Sequence, residues 1–193
     1  MLSGHNATFV PDLVWVGLAL FYGGLVQLLA GMWEFRNRNV FGATAFSTYG
    51  GVWMSLGIFV VLAVVSKTFG AALAGANLPN AVAWFLVAFA IFNTYMLLWS
   101  TQVSVAVFLV FLTLEATEII LVIGNFMEAH GHPNSGWVHV GGWVGIATAA
   151  VAWYASAAGV INGMKGHPIL PVGAPLNLEG GRRGRPMPRG RHA

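Results

Sequence analysis

The sequence predicts an all-α membrane protein, a helical bundle of five transmembrane helices. Three observations predict it. The chain of 193 residues is 57% hydrophobic and only 8% charged, where an ordinary soluble domain is about a quarter charged. Its mean hydropathy is +0.72. Five stretches, about 12–34, 42–66, 80–101, 103–127 and 137–162, each reach the ~20 apolar residues that a spanning helix needs. A chain of this length holds one such bundle, at 12–165, between an N-terminal segment at 1–11 and a tail at 166–193.

The first helix carries Gly17, Gly24 and Gly31 at seven-residue spacing, which puts them on one face. Gln27 and Glu34 border that face, and Gln27 sits mid-membrane, where a carboxamide needs a partner or water. Arg36-Asn-Arg38-Asn39 ends the span, and Asn39 reads as the N-cap of the second helix. That helix repeats Ala43, Ser47, Gly51 and Ser55 every four residues, a small-residue ladder that lets transmembrane backbones approach closely. The third helix follows a Gly/Ala/Asn stretch ending at Pro79. Only Ser100-Thr-Gln-Val-Ser104 separates it from the fourth, and a tight turn is expected there because the joined run would exceed one bilayer. The fifth helix follows His130-Gly-His132-Pro133-Asn134 and contains Gly141-x-x-x-Gly145, again a close-packing pattern.

An aromatic beside paired glycines recurs at Tyr22-Gly-Gly24, Tyr49-Gly-Gly51 and Gly141-Gly-Trp143. Paired glycines loosen a helix, and backbone groups freed in this way can face a solute path, with Tyr22 and Tyr49 as amphipathic walls. Close packing is the plainer reading of each glycine taken singly.

Arg36, Arg38, Lys165 and the tail arginines all fall on one side of a five-span chain, which makes that side cytoplasmic and leaves Lys67 as the one outside cation. The expected location is the plasma or inner membrane, with the C-terminus cytoplasmic. No cleavable signal is evident in Met1–Asp12. The Gly/Pro/Arg-rich tail reads as a disordered basic segment that can touch anionic headgroups; nucleic acid is not an expected partner.

The chemistry is sparse. There is no cysteine, no Ser–His–Asp order, no phosphate loop and no HExxH, so no enzyme and no cofactor are expected. His130, His132 and His139 fit no closed zinc pattern, so no metal is expected. His139 reads as an interfacial cap or hydrogen-bond partner. No Lys or Arg lies inside a span, so an anion would meet only helix dipoles and hydroxyls. The Asn39 end of helix two, with Thr44, Ser47 and Thr48, offers these, and weak binding suits rapid transit. Glu115 and Glu118 are three apart on one helical face, and two such carboxylates at depth cannot both stay charged. They are either a proton site or a hydrogen-bonded pair at a helix interface.

The runs Phe21-Tyr-Gly-Gly…Gln27…Ala30-Gly31…Glu34 and Phe41-Gly…Ala45-Phe46…Tyr49-Gly50, with Asn125 and His139-Val-Gly-Gly-Trp-Val-Gly145, resemble the acetate/succinate transporter family. That family comprises bacterial acetate–succinate permeases and fungal acetate permeases also linked to ammonia export. The likeness runs over about 12–173 and closes at Leu170-Pro-Val-Gly173. It implies a pore in each protomer, a homo-hexamer, and passage of acetate and in some members succinate, proton-coupled or channel-like. It also implies that Tyr49 and Leu114 form the constriction and that Ala152 is a small pore-facing position. The family has six helices and opens with Asn-Pro-Ala-Pro-Leu-Gly, whereas this sequence begins where the second of those helices begins. Glu115 and Glu118 stand where the family helix is usually apolar, so the resemblance assigns them nothing.

The leading expectation is a transporter or channel for small mono- or dicarboxylates, with Tyr22, Gln27, Thr44, Ser47, Thr48 and Asn125 lining the route. The alternatives are a permease for ammonia, ammonium or another small solute that uses the Glu115/Glu118 pair, and a non-transporting truncated membrane subunit.

Overall fold

The computed structural model describes residues 9–74, 76–132 and 136–176, with side chains from residue 14 onward. Five helical spans cross between two ends: Val14–Arg36, Val40–Val65, Leu78–Ser100, Val105–Ala129 and Trp137–Lys165, each apolar enough to traverse a membrane. They correspond to the five expected spans, displaced by a few residues at their ends. The chain is a multi-pass membrane protein. Its outer faces carry the residues that lipid requires, among them Trp143, Trp153 and Met164, all exposed.

The first span is not uniform. It runs as α1 (Phe9–Leu20), then a π-helical turn over Phe21–Val26, then α2 (Gln27–Arg36). The wide turn falls on Tyr22-Gly-Gly24, so this glycine pair does loosen its helix. The pairs in the two other helices stay α-helical. A Cβ on Gly24 would stand 2.6 Å from the Ala19 carbonyl oxygen and 2.5 Å from Met54 Cγ, contacts that only glycine permits.

α2 turns back into α3 (Val40–Val65) through three residues. Arg38 takes a left-handed φ of 59° there. Asn39 caps α3 as expected: its Oδ1 accepts from the Gly42 amide at 3.1 Å. The two helices are in backbone contact. A Cβ on Gly31 would lie 2.8 Å from the Ser47 nitrogen, and one on Gly50 would lie 2.7 Å from the Leu28 nitrogen. The contacting ladder on α3 therefore runs through Ser47, Gly50, Met54 and Gly57. The expected register is corrected here, because Gly51 has nothing within 4 Å of its Cβ position and Ser55 merely bonds back to the Gly51 carbonyl.

A short helix that the hydropathy pattern did not reveal, α4 (Lys67–Ala74), folds back against α3 through an edge contact of Phe69 on Phe59. α5 (Leu78–Ser100) and α6 (Val105–Ala129) form a hairpin. Its turn at 101–104 is tight, as expected, because Ser104 caps α6 by accepting from Val107 N at 3.2 Å. α7 (Trp137–Lys165) packs along α6. Gly141 lies against Leu121, and the Thr117 and Thr148 hydroxyls meet at 3.1 Å. The cap of α7 is Gly136, with φ of 81°, so His139 is not the cap; it lies exposed in the first turn.

After α7 the chain folds back over the α5–α6 turn. Ala106 N donates to Val172 O at 2.8 Å and Leu176 N to Thr101 O at 2.7 Å. Residues 166–176 are thus a hydrogen-bonded strap, where the composition predicts a disordered tail from 166; residues 177–193 lie outside the described residues.

Candidate functional site

The helices group as two units. The hairpin of the first span with α3 is one, and α5–α6–α7 is the other; α3 meets α5 only along a short seam. Tyr49 stands on that seam, ten residues into α3, half-buried. Its ring lies edge-on to Phe92 of α5 with centroids 5.4 Å apart, and 6.5 Å from Phe111 of α6. Phe41 contacts Phe111 at 5.3 Å, and Ala45 and Met96 fill the remainder of this cluster. Edge-to-face aromatic contacts fix ring orientation as well as adding burial.

A polar chain runs through this apolar collar. The Tyr49 hydroxyl donates to Oδ1 of Asn93 at 2.9 Å. Asn93 is 0% exposed. Its Nδ2 donates to Glu115 Oε2 at 2.6 Å and to the Phe111 carbonyl at 3.1 Å. The Thr94 hydroxyl lies 2.8 Å from Glu115 Oε1. Both Glu115 oxygens are therefore engaged. One turn further on, Glu118 is 6% exposed, and its Oε2 has no hydrogen-bond partner among the described residues. A buried carboxylate oxygen without a partner is costly.

Asn93 and Thr94 were not singled out by the sequence pattern. The signal was available, since they interrupt the middle of an apolar span as Gln27 does. The structure joins Tyr49 to Glu115 through them. It does not gather the remaining candidates around this point. Leu114 is half-buried on α6 next to Glu115, outside the aromatic cluster, and Ala152 is half-buried on α7. Asn125 Nδ2 donates to the Leu121 carbonyl of its own helix, and the Ser47 hydroxyl to the Ala43 carbonyl. Gln27, Thr44 and Thr48 are half-buried. Tyr22 is 72% exposed, beside an open apolar cleft of about 400 Å³ that Trp15, Leu18 and Trp53 also line.

At the start of helix two, where the anion site is expected, Glu34 Oε2 accepts from Asn39 Nδ2 at 2.6 Å, so the chain's own carboxylate stands beside that helix terminus. It complements the N-terminal end of the helix dipole and would repel a second anion. Among the described residues, no three His, Asp or Glu side chains cluster as metal ligands.

The model of the GPR1/FUN34/yaaH family matches residues 5–174. Acetate permease A of Emericella nidulans is 39% identical over 168 residues, covering 84% of this chain and 55% of that protein. The succinate-acetate/proton symporter SatP of Escherichia coli (strain K12) is 29% identical over 176 residues, covering 90% of this chain and 87% of that one. The solved structure of the bacterial acetate channel SatP has a TM-score of 0.72 and 28% identity, and the match covers 82% of this chain and 81% of that one. The chain thus spans about half the length of the fungal relative and most of the bacterial one.

Proposed function

The chain belongs to the GPR1/FUN34/yaaH family, and from that premise we propose that it passes acetate and similar small carboxylates, succinate among them, across a cell membrane. The observation that carries the reading is the Tyr49 collar at mid-depth, on the seam where α3 of one helical unit meets α5 and α6 of the other. An aromatic ring held by other rings forms a narrow point of definite width, and small carboxylates differ chiefly in width and length. No fixed cation lies at this level, so an anion is held weakly and leaves quickly. In this reading Leu114 and Ala152 line the route outside the collar, and Gln27, Thr44 and Thr48 are half-buried polar groups along it.

Glu115 and Glu118 divide the proton chemistry between them. Glu115 has its two oxygens committed to Asn93 and Thr94. Glu118 has the oxygen that no partner among the described residues holds. A proton delivered there can accompany a carboxylate and cancel its charge at the depth where charge costs most.

The α5–α6 turn, the end of α7 and the strap share one end of the molecule. That end carries Lys165, and the Arg36–Arg38 turn belongs with it by helix count, which supports a cytoplasmic C-terminus. Assembly as a hexamer is part of the same proposal.

The test is counterflow of labelled acetate in proteoliposomes. Acetate exchange is expected, and Tyr49→Ala should admit longer acids that the wild type excludes. Uptake of methylammonium without acetate would replace the carboxylate reading with an amine permease. Absence of any flux would favour a non-transporting subunit.

A further inference from the structure

Asn93 is a buried carboxamide between an aromatic hydroxyl and a carboxylate, and its surroundings decide which way it faces. Its nitrogen has two neighbours, the Phe111 carbonyl at 3.1 Å and Glu115 Oε2 at 2.6 Å. A carbonyl can only accept. Turning the amide over would set Oδ1 against it, lone pair against lone pair, so the observed orientation is the one that satisfies both groups. Oδ1 is then left facing Tyr49, whose hydroxyl donates to it at 2.9 Å. A phenol has one proton. Given to Asn93, it is not available to anything passing the ring.

We propose that Asn93 is a positioning and specificity-determining residue that holds the Tyr49 hydroxyl turned away from the permeating anion. The narrow point then sorts solutes by the bulk of the ring and does not bind their carboxylate. This rests on the reading of Tyr49 as the constriction. A free phenol at that place would donate to a carboxylate, and a hydrogen bond to a charged acceptor is about twice as strong as a neutral one. It would hold the anion where rapid passage needs it released. Glu115 and the Phe111 carbonyl set the Asn93 amide, and Asn93 sets Tyr49. Phe92 and Phe111 hold the ring in place, so that without Asn93 it is the hydroxyl proton that turns about its C–O bond toward a passing carboxylate.

Acetate uptake against concentration in proteoliposomes tests this with Asn93→Leu, Tyr49→Phe and the double variant. Asn93→Leu is similar in volume and cannot accept the hydroxyl. It should lower the half-saturation concentration about tenfold, as expected for one hydrogen bond to a charged group, and lower the maximal rate. Adding Tyr49→Phe should reverse that tightening, because the responsible hydroxyl is gone. A half-saturation concentration that does not fall in Asn93→Leu overturns the proposal. So does a Tyr49→Phe effect that is equal in both backgrounds. Should the leucine variant fail to reconstitute, Asn93→Ala carries the same cycle. Tyr49→Ala separates the two layers. Unchanged size exclusion there removes the constriction reading itself, whereas widened exclusion with additive single variants removes only the Asn93 tie.

Discussion

At the scale of single residues, the two intramembrane glutamates have different surroundings and should respond differently to substitution. Glu115 accepts two bonds, one at each oxygen. Glutamine there keeps both contacts, because the Thr94 hydroxyl can accept from its amide nitrogen while donating to the Ala90 carbonyl at 2.8 Å, whereas alanine loses both. Glu115→Ala should lower stability by about 1–3 kcal/mol, read as a lower thermal midpoint in detergent, and Glu115→Gln should not. Glu118 offers Oε2 with no partner among the described residues, so Glu118→Gln removes no bond at that atom. If Glu118 is where the proton exchanges, acetate uptake in the wild type should rise as external pH falls, and Glu118→Gln should flatten that rise while melting near the wild-type temperature. A full pH response in Glu118→Gln would return the pair to a structural role. The pair was legible in the sequence because two acids three residues apart in an apolar run are conspicuous. Asn93 was less legible, since one carboxamide in a span says only that a partner exists. That the partners are Tyr49 and Glu115, 44 and 22 residues away, is a fact of packing. The same holds for Glu34, whose meeting with Asn39 depends on a left-handed Arg38 that no periodicity announces.

At the scale of elements, hydropathy located every span, and composition foresaw that the first two would touch backbone to backbone. What it could not give was which small residues touch. The ladder Ala43, Ser47, Gly51 and Ser55 and the contacting row Ser47, Gly50, Met54 and Gly57 share Ser47 and then diverge along α3. The structure selects Gly50 and leaves Gly51 open. The selection is testable by paired substitution. A methyl at Gly31 or Gly50 would stand less than 3 Å from backbone nitrogen, which cannot move aside as a side-chain tip can. Gly31→Ala and Gly50→Ala should each cost about 1–3 kcal/mol through overpacking. Gly17→Ala and Gly51→Ala, with nothing within 4 Å of the added carbon, should be neutral or slightly stabilising, because alanine is the better helix former. Equal melting temperatures across the four would mean that the two helices are not in this register. The π turn at Phe21–Val26 belongs to the same scale: a contact closer than 3 Å to a Cβ at Gly24, Gly50 and Gly141 is common to the three glycine pairs, while the wide turn is confined to the first.

At the scale of the whole molecule, the strap closes what the helices leave open. Ser100, Thr101 and Ser104 are buried at the α5–α6 turn, although hydroxyl-bearing turn residues at a membrane face would ordinarily be wet. The strap covers them and supplies partners, Val172 O for the Ala106 amide and the Leu176 amide for Thr101 O. It is held in turn by Asn162 of α7, whose Oδ1 accepts from Ile169 N at 2.7 Å and Leu170 N at 3.0 Å, and whose Nδ2 donates to Leu170 O at 2.8 Å. The Tyr154 hydroxyl adds a bond to Pro171 O at 2.6 Å. One side chain thus links the end of the last helix to the turn between two others. Composition missed this because Gly, Pro and Arg dominate the segment beyond it, and because a strap is defined by where it lies and not by a period. Asn162→Ala removes three of these bonds, each worth about 1 kcal/mol net. Hydrogen exchange at the Ala106 and Leu176 amides should then speed up by tenfold or more, while amides in the middle of α6 keep their protection. If both amides exchange as in the wild type, the apolar contacts of Val172 and Gly173 with Val105 hold the strap alone, and Asn162 only caps the end of α7.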